Sequence, residues 1–330
     1  MRAVVTRATG HVGNSHSAAA GGAGVVGAGR GASGEEALAG VECERAPVDV
    51  DDEASLDAAF AGAEVVFHLA GVISIDGDRD GRVARTNVDG AARVARAASR
   101  AGARRMVHMS SIHAFDPEPA GEPVHEGRRR GVDSKKAYDR SKARGEAAVR
   151  RVAAESGLEV VIVNPTAVIG PFDFGPSRAG QVLLDLAGRR LPSLVDGGFD
   201  WVDVRDVVAS TLAAAERGVV GESYLLPGHW MSVVEMAEVA SAVTGVPRPR
   251  MVTPRWLAHG AAPFSVAWAR LRRRSPLFTG ESVHALGTYR HISGARAAAV
   301  LGHVPRPFAE TVRDTYGWFA ERGVWAGRGA

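Results

Sequence analysis

The sequence predicts an α/β protein with a doubly wound parallel sheet and a smaller C-terminal lobe. Short β-branched runs alternate with Ala/Arg-rich segments through the first half of the chain, which is the rhythm of β-α-β units. A turn containing Gly10 directly follows the first of these runs. After Pro165 the sequence changes to Gly- and Pro-bounded pieces that hold most of the tryptophans, a pattern typical of a smaller appended lobe.

The individual elements follow from local patterns. Five strands are predicted, in chain order Ala3–Val5, Val25–Val26, Glu64–Leu69, Arg105–Met109 and Glu159–Val163. Helices are predicted over Ser55–Phe60 and Val88–Ala101, the second with small apolar residues on one face at helical spacing. The run Arg128–Arg130 is interpreted as solvated charge in a surface loop.

The length of 330 residues fits one such domain with an appended lobe. We assign residues 1–167 to the sheet domain, with 201–227 returning to it, and residues 168–200 and 228–330 mainly to a substrate-binding lobe. Hydrophobic residues make up 45% and charged residues 23% of the chain, which is ordinary for a globular protein, and no apolar run is long enough to cross a bilayer. We therefore expect a soluble chain without a membrane partner.

Charge and cysteine content narrow the classes of function. The 40 Lys and Arg against 37 Asp and Glu leave a net charge of +3 that is spread along the chain, so we expect no nucleic-acid partner. The single cysteine, Cys43, excludes an intramolecular disulfide and a thiolate cluster, and we expect no metal site. Since no signal-peptide pattern follows Met1, these features favour the cytoplasm. The expected partner is a small-molecule substrate, and a homodimer is left open.

The segment Thr6–Gly13 reads Thr-Arg-Ala-Thr-Gly-His-Val-Gly and follows the first predicted strand. A glycine turn at this place lets backbone N–H groups approach a diphosphate at a helix N-terminus, although a plain tight turn has the same appearance. Asp49-Val50 follows the second half-unit, and Ala70-Gly71 ends a strand with small residues that let the backbone pass close to a flat ligand. Together these segments favour a nucleotide site.

A stronger signal comes from Tyr138 and Lys142, which are four residues apart on a predicted helix and so share one face. A nearby ammonium favours the tyrosinate and lowers a phenol pKa that is normally about 10. Tyr138 would then serve as a proton donor near neutral pH. Because Ser111 ends the fourth predicted strand, we predict Ser111, Tyr138 and Lys142 as the catalytic residues. A solvated polar helix face is the alternative interpretation of the Tyr/Lys pair alone.

In their order, these motifs resemble the extended short-chain dehydrogenases/reductases of the NAD-dependent epimerase/dehydratase superfamily, particularly the dihydroflavonol-reductase-like and 3-beta-hydroxysteroid-dehydrogenase-like members. The resemblance covers nearly the whole chain, through Phe67-His68-Leu69-Ala70, Thr86-Asn87-Val88, Ser110-Ser111, the Tyr138/Lys142 pair, Asn164-Pro165-Thr166, Val202–Val207 and Leu301–Pro307. It implies a Rossmann-type sheet and hydride transfer between C4 of a nicotinamide and a carbonyl carbon. Tyr138 would protonate the oxygen and Ser111 would hydrogen-bond it.

The same resemblance implies where the cofactor would lie. Its contacts would be Gly10, His11, Val12 and Gly13 at the diphosphate, Asp49 and Val50 at the adenine, Leu69, Ala70 and Gly71 along the middle of the dinucleotide, Lys142 at the nicotinamide ribose, Pro165 and Val168 near the carboxamide, and Asn87, Ser110 and Tyr138 as further contacts. His113, two residues after Ser111, lies where substrate-facing residues lie in the family and is a candidate for substrate contact, although a lone histidine more often has a structural role.

The choice between cofactors depends on the end of the second strand. Enzymes that use NAD place Asp or Glu there, whereas Gly29–Ser33 offers the guanidinium of Arg30 and a hydroxyl. This favours NADP(H), with NAD(H) as the alternative, although an exposed loop arginine would look the same. The aromatic residues Trp256, Phe264 and Trp268 would give an apolar lining suited to a bulky ketone or alcohol.

Two departures from the family pattern concern the cofactor site. Arg7 replaces the first loop glycine, where a side chain crowds the turn or requires a backbone conformation that is costly for other residues. Ser15–Gly24 has no Leu, Ile or Val and contains Gly21 and Gly22, each of which costs about 1 kcal/mol relative to Ala inside a helix. We expect a weak helix. A drifted but working loop, a loss of redox function and a local reading-frame disturbance are three explanations that the sequence does not separate.

Two other functions stay open beside an NAD(P)-dependent reductase or dehydrogenase. A nucleotide-sugar epimerase or dehydratase shares the fold and the Ser/Tyr/Lys set, but needs a tightly held NAD and a polar nucleotide pocket. A non-catalytic NAD(P)-sensing protein is compatible with the altered glycine loop. Such a protein has little reason to keep Ser111, Tyr138 and Lys142 together, so the sequence favours the oxidoreductase.

Overall fold

A seven-stranded parallel sheet forms the centre of the protein. The computed structural model describes residues 2–20, 24–29, 35–74, 77–261 and 280–326. In spatial order the strands are β10 (Ser223–Leu226), β6 (Glu159–Pro165), β5 (Arg105–Met109), β4 (Val65–His68), β1 (Ala3–Thr6), β2 (Val25–Gly29) and β3 (Glu44–Pro47). Strand order reverses between β1 and β4, so a crevice opens at their carboxyl ends. The predicted doubly wound sheet is confirmed.

Helices cover both faces of this sheet. On one face lie α1 (His11–Ala20), α7 (Val204–Arg217) and α10 (Ala295–Leu301), and on the other lie α2 (Glu53–Phe60), α4 (Ala91–Arg100) and α5 (Ala137–Ser156). Each contributes small or branched apolar side chains to a layer against the strands, such as Val207 on one face and Val149 on the other. The layers remove both faces of the central strands from water, as parallel strands require.

The helix predicted over Val88–Ala101 begins differently. A short helix, α3 (Arg82–Ala84), runs through the π-helical segment Arg85–Gly90 into α4. Helix α5 crosses this segment at Gly145, where a Cβ atom would lie 2.4 Å from the carbonyl oxygen of Asn87. The close crossing therefore needs a glycine, and the widened turn holds Asn87 against both a neighbouring loop and α5.

Strand β3 was not predicted because Glu44–Pro47 is a mostly exposed edge strand without apolar alternation. Strand β2 extends beyond the predicted Val25–Val26 through Gly27 and Ala28 to Gly29. Small residues carry little strand preference of their own, so pairing with β1 and β3 decides their conformation.

The second lobe has its own small sheets and core. Strands β7 (Ala167–Ile169), β9 (Gly198–Asp203) and β11 (His229–Ser232) form one sheet, and β8 (Leu194–Val195) pairs with β12 (Val252–Thr253). The helices are α6 (Arg178–Ala187), α8 (Val233–Thr244), α9 (Gly280–Ala285) and α11 (Phe308–Glu321). Leu183, Trp201, Val312, Tyr316 and Phe319 are central to the core. Across the described ranges, no helix is long and apolar enough to span a membrane.

Helix α1 buries a polar face. Asn14, Ser15, His16 and Ser17 are all buried, although such positions are usually apolar in a helix that covers a sheet. Ser15 and Ser17 each hydrogen-bond a carbonyl four residues earlier, at 2.9 Å. The ring of His16 packs 4.1 Å from Phe67, and neither of its nitrogens has a hydrogen-bond partner. Burial lowers the pKa of His16 to about 4, so the ring is neutral and unsatisfied. Gly21 and Gly22 lie outside the described residues.

Replacing His16 with Leu should stabilise the protein. The side chains have similar volumes, and the change removes two buried ring nitrogens that lack partners, a defect that costs about 1–3 kcal/mol. We expect the free energy of unfolding at neutral pH to rise by about 2 kcal/mol in urea titrations. His291→Leu is the control, since His291 is exposed and should show little change. A destabilised His16→Leu protein would mean that the ring has a role that burial and hydrogen bonding do not show.

Candidate active site

Thr6, the last residue of β1, ties together the two strand ends that form the crevice. Its Oγ1 accepts hydrogen bonds from the backbone N–H groups of Leu69 and Ala70, each at 3.1 Å, and lies 3.0 Å from Nδ1 of His68. The residues predicted along the middle of a dinucleotide are therefore held directly beside the glycine turn. The sequence analysis missed Thr6, whose only signal is a hydroxyl at the end of a buried strand.

The glycine turn leads directly into α1. Gly10 N–H donates to the carbonyl of Arg7 at 2.9 Å, and α1 begins at His11. A Cβ atom at Gly13 would lie 2.1 Å from that same carbonyl, so only glycine lets the helix approach the turn. His11 Nε2 lies 2.9 Å from the carbonyl oxygen of Pro171, and Val12 packs into the apolar layer. The first N–H groups of α1 thus face the crevice end of β1, where an anion binds favourably.

Arg7 adopts the left-handed conformation that its position requires, with φ of 56°. Its guanidinium donates a hydrogen bond to the carbonyl of Gly71 beyond β4, so the side chain spans the crevice. Burial lowers the pKa of Arg7, nearby Tyr138 raises it and Arg82 lowers it. The conformational cost expected for a residue other than glycine is therefore present at this turn.

Three predicted catalytic residues converge beside the crevice. Ser111 follows β5 and caps a short 3-10 helix (Ile112–Ala114), and its side chain hydrogen-bonds Tyr138. Tyr138 and Lys142 lie on the first turns of α5. Lys142 is buried, and its Nζ donates to the carbonyl of Met109 at 3.3 Å. The structure therefore brings the serine, the phenol and the ammonium to the carboxyl edge of the sheet.

The charge environment differs from the one expected from the sequence. Burial raises the pKa of Tyr138 to about 12, while the bond from Ser111 lowers it, Asp139 raises it and Arg7 lowers it. Burial lowers the pKa of Lys142 to about 8, against the charge of Glu146, and Arg7 lowers it further. Desolvation thus outweighs the predicted effect of Lys142 on the phenol, and the cation that acts on Tyr138 is Arg7.

A buried polar network supports Ser111 from behind. Asn164 donates to the carbonyl of Ser111 at 3.0 Å and to Glu146 at 2.6 Å. Arg130 pairs with Glu146 at 2.7 Å and lies 3.8 Å from the ring centre of Phe115. The interpretation of Arg130 as solvated surface charge is therefore wrong, because the loop folds back over α5. Charge pairing compensates the buried carboxylate and fixes the backbone that carries the serine.

His113 lies against Tyr138, the predicted catalytic tyrosine. Its ring centre is 5.4 Å from that of Tyr138 and 5.4 Å from that of Tyr289. Nδ1 of His113 lies 2.9 Å from the buried carboxylate of Asp139, which orients the ring. The substrate contact of His113 stays a prediction. The sequence did not identify Asp139, although it is adjacent to Tyr138 and its partner His113 was already a candidate site residue.

The remaining predicted cofactor residues occupy varied settings. The carboxamide oxygen of Asn87 accepts a hydrogen bond from the N–H of Val72. Its nitrogen donates to the carbonyl of Val72 and to the hydroxyl of Ser141. Ser110, Pro165 and Val168 lie at or just beyond the carboxyl ends of β5 and β6, while Asp49 is partly buried and Val50 lies in the core. Arg30 falls outside the described residues, as do Phe264 and Trp268, and Trp256 is 75% exposed. Cofactor contacts at these positions stay predictions.

The backbone of the crevice fits a dinucleotide. Gly13 permits the close turn, and a Cβ atom at Gly71 would lie 3.3 Å from both Asn87 Oδ1 and Lys142 Nζ, so glycine keeps this wall open. A buried ammonium and a helix N-terminus at one crevice suit an anionic ligand. The side chain of Arg7 lies across this space. In the described part of the chain, no group of three or more His, Cys, Asp or Glu is arranged to hold a metal ion.

Comparison with known proteins agrees with this architecture. The sequence profile of the NAD dependent epimerase/dehydratase family matches residues 3–226. The chain belongs to this family. The resemblance found in its motifs is thereby confirmed, and the family's dependence on NAD agrees with the glycine turn.

Proteins similar to this chain differ in the reactions that their names describe. Sterol demethylase protein B of Methylococcus capsulatus is 37% identical over 329 residues, covering 98% of this chain and 100% of that protein. A putative dihydroflavonol 4-reductase of Synechocystis is 30% identical, covering 82% and 80%. The crystal structure of a nucleoside-diphosphate-sugar epimerase from Pseudomonas aeruginosa superposes with a TM-score of 0.78 at 26% identity, covering 98% and 99%.

Proposed function

We propose that the chain is an NAD(P)-dependent reductase or dehydrogenase that interconverts a ketone and a secondary alcohol on a bulky, apolar substrate. The observation that carries the proposal is the convergence of Ser111, Tyr138 and Lys142 at the crevice between β1 and β4. A phenol bonded to a serine hydroxyl is suited to protonate an oxygen, and the crevice is where this fold binds nucleotides.

In this proposal the dinucleotide supplies the hydride, and the chain's residues handle the proton and hold the substrate. The Tyr138 hydroxyl gives its proton to the carbonyl oxygen during reduction and takes it back during oxidation. Ser111 hydrogen-bonds the same oxygen and so stabilises the negative charge that develops on it. Lys142 would hold the nicotinamide ribose, since its buried ammonium lies beside Gly71 at the crevice wall. Asn164, Glu146 and Arg130 keep the serine backbone in place.

The name of the relative sterol demethylase protein B supports a sterol-like substrate, since that protein matches this chain over nearly its whole length. We propose a 3-hydroxysteroid or the matching 3-ketosteroid as the substrate class. The test is to incubate the purified full chain with a 3-hydroxysteroid and NAD(P)+, or a 3-ketosteroid and NADPH, and to follow the absorbance of the reduced cofactor. Steroid-dependent turnover is expected.

The similarity to a nucleoside-diphosphate-sugar epimerase favours one alternative, epimerisation of a nucleotide sugar. This alternative requires NAD that stays bound through purification and turnover with a UDP-sugar. Finding both, without turnover of any steroid or other bulky ketone, would replace the oxidoreductase proposal.

We propose that NADPH is preferred over NADH because Arg30 follows β2, where a guanidinium pairs with a ribose phosphate. Isothermal titration with both cofactors should give tighter binding of NADPH, and Arg30→Ala should remove the difference. Equal or tighter binding of NADH by the unmodified protein would refute this preference.

A further inference from the structure

The side chain of Arg7 lies over the glycine turn that is predicted to line the diphosphate of a dinucleotide. Built on the backbone of Gly10, a Cβ atom would lie 3.1 Å from Nε and 3.2 Å from Cγ of Arg7. The aliphatic part of the side chain therefore folds back over the glycine turn, next to the first residues of α1. Gly10 and Gly13 are among the residues predicted to line the diphosphate, so the side chain covers their side of the crevice.

The far end of the side chain reaches the opposite wall. The guanidinium donates a hydrogen bond to the carbonyl of Gly71, one of the residues predicted along the middle of the dinucleotide. The turn after β1 and the segment after β4 are thus bridged by one side chain across the nucleotide crevice. The bridge therefore crosses the predicted path of a ligand that runs from the turn to Lys142.

The position is electrostatically unusual for a cation. The N-terminal end of a helix carries positive partial charge, so it favours anions and disfavours a guanidinium. Arg82 and Lys142 add further positive charge nearby, and no carboxylate among the described residues forms a salt bridge with Arg7. The contact that holds the guanidinium is the neutral carbonyl of Gly71, a partner that it can exchange.

We propose that Arg7 determines the cofactor affinity of this protein. Its side chain occupies the position beside Gly10 and Gly13 that the diphosphate would take, here called the diphosphate seat, until a dinucleotide displaces it from Gly71. The inference rests on the proposed function, since it takes NAD(P)(H) to be the ligand. The apparent dissociation constant then equals the intrinsic one divided by the fraction of molecules in which Arg7 has left the seat. A hydrogen bond to a charged group shifts such an equilibrium by about 10- to 100-fold.

The experiment measures NADPH and NADH binding to the full chain by isothermal titration, with the association rate from stopped-flow fluorescence. Arg7→Ala removes the bridge and keeps a side chain at the strained turn, while Arg7→Gly removes both. Both variants should bind at least about tenfold more tightly than the unmodified protein and associate faster. Arg82→Ala is the matched control, because it removes a nearby positive charge without vacating the seat, and its affinity should be unchanged or weaker.

The outcomes separate this inference from the proposed function. If the unmodified protein binds NADPH and Arg7→Ala binds equally or more weakly, Arg7 is not an obstruction and the inference fails while the function stands. If neither the unmodified protein nor either Arg7 variant binds any dinucleotide, the proposed function fails and the inference fails with it. Tighter binding by Arg7→Gly alone would assign the effect to backbone strain, which also overturns the role of the guanidinium.

Discussion

Tyr138→Phe should lower the turnover number by about 10²–10⁴-fold, the usual contribution of a positioned general acid. The substitution keeps the ring and its packing against His113, and removes only the hydroxyl that bonds Ser111. Burial raises the pKa of Tyr138 to about 12, so the phenol stays protonated at neutral pH and acts as the donor during reduction. Stability and cofactor binding should change little, which titration and thermal unfolding would check.

Tyr289→Phe is the matched control for this prediction. Tyr289 also packs against His113, but its hydroxyl donates to the carbonyl of Phe115 at 2.9 Å and has no place in the proposed proton transfer. Its turnover should stay within a few-fold of the unmodified enzyme. If Tyr138→Phe kept more than about a tenth of the original turnover with chemistry rate-limiting, another group would have to be the proton donor.

The free energy of unfolding should fall steeply as the pH drops from 7 to 5. Burial lowers the pKa of His16 to about 4 and that of His68 to about 3, with Lys142 adding to the second shift. Burial, His68 and Lys142 also lower the pKa of His108, whose ring stacks 5.3 Å from that of His68. Unfolded histidines titrate near 6.5, so the unfolded state binds more protons in this window and acid favours it. His16 and His68 should each contribute about 2 kcal/mol of the loss, and His108 should add to it in the same direction.

Urea titrations at a series of pH values would measure this slope. His16→Leu should reduce the loss between pH 7 and 5 by about 2 kcal/mol, because it removes one of the titrating groups. Replacement of exposed His291 by Gln should leave the slope unchanged. A pH-independent stability over this range would show that the three rings are not buried in neutral form.

The sheet and the Ser/Tyr/Lys set could be predicted because each rests on a local pattern. Branched apolar runs identify buried parallel strands, and a spacing of four places Tyr138 and Lys142 on one helix face. The supporting contacts were hidden because they join distant segments. Thr6 and His68 are 62 residues apart, and Asn164 reaches the carbonyl of Ser111 across 53 residues. Neither pair has a spacing that a sequence pattern could reveal.

Charged residues were hardest to assign for the same reason. Arg130 belongs to a run of three arginines, a pattern typical of an exposed loop. The loop folds back over α5 and so places Arg130 beside Glu146. The expected lowering of the Tyr138 pKa by Lys142 was likewise wrong. The depth of burial decides this pKa, and burial depends on the whole fold. Strand β3 was missed because its conformation comes from pairing with β2 rather than from its own composition.

The polar buried face of α1 has a consequence for local opening. Helices that contribute few apolar contacts separate from a domain at lower free energy than the sheet behind them. Because α1 begins at the glycine turn, we expect the segment predicted to bind the diphosphate to open at lower free energy than the sheet. Part of the free energy of ligand binding is then used to keep α1 docked on the sheet. Substitutions that strengthen the docking of α1 reduce the part used in this way. Ligand affinity at the glycine turn and the docking of α1 on the sheet therefore depend on the same local opening equilibrium.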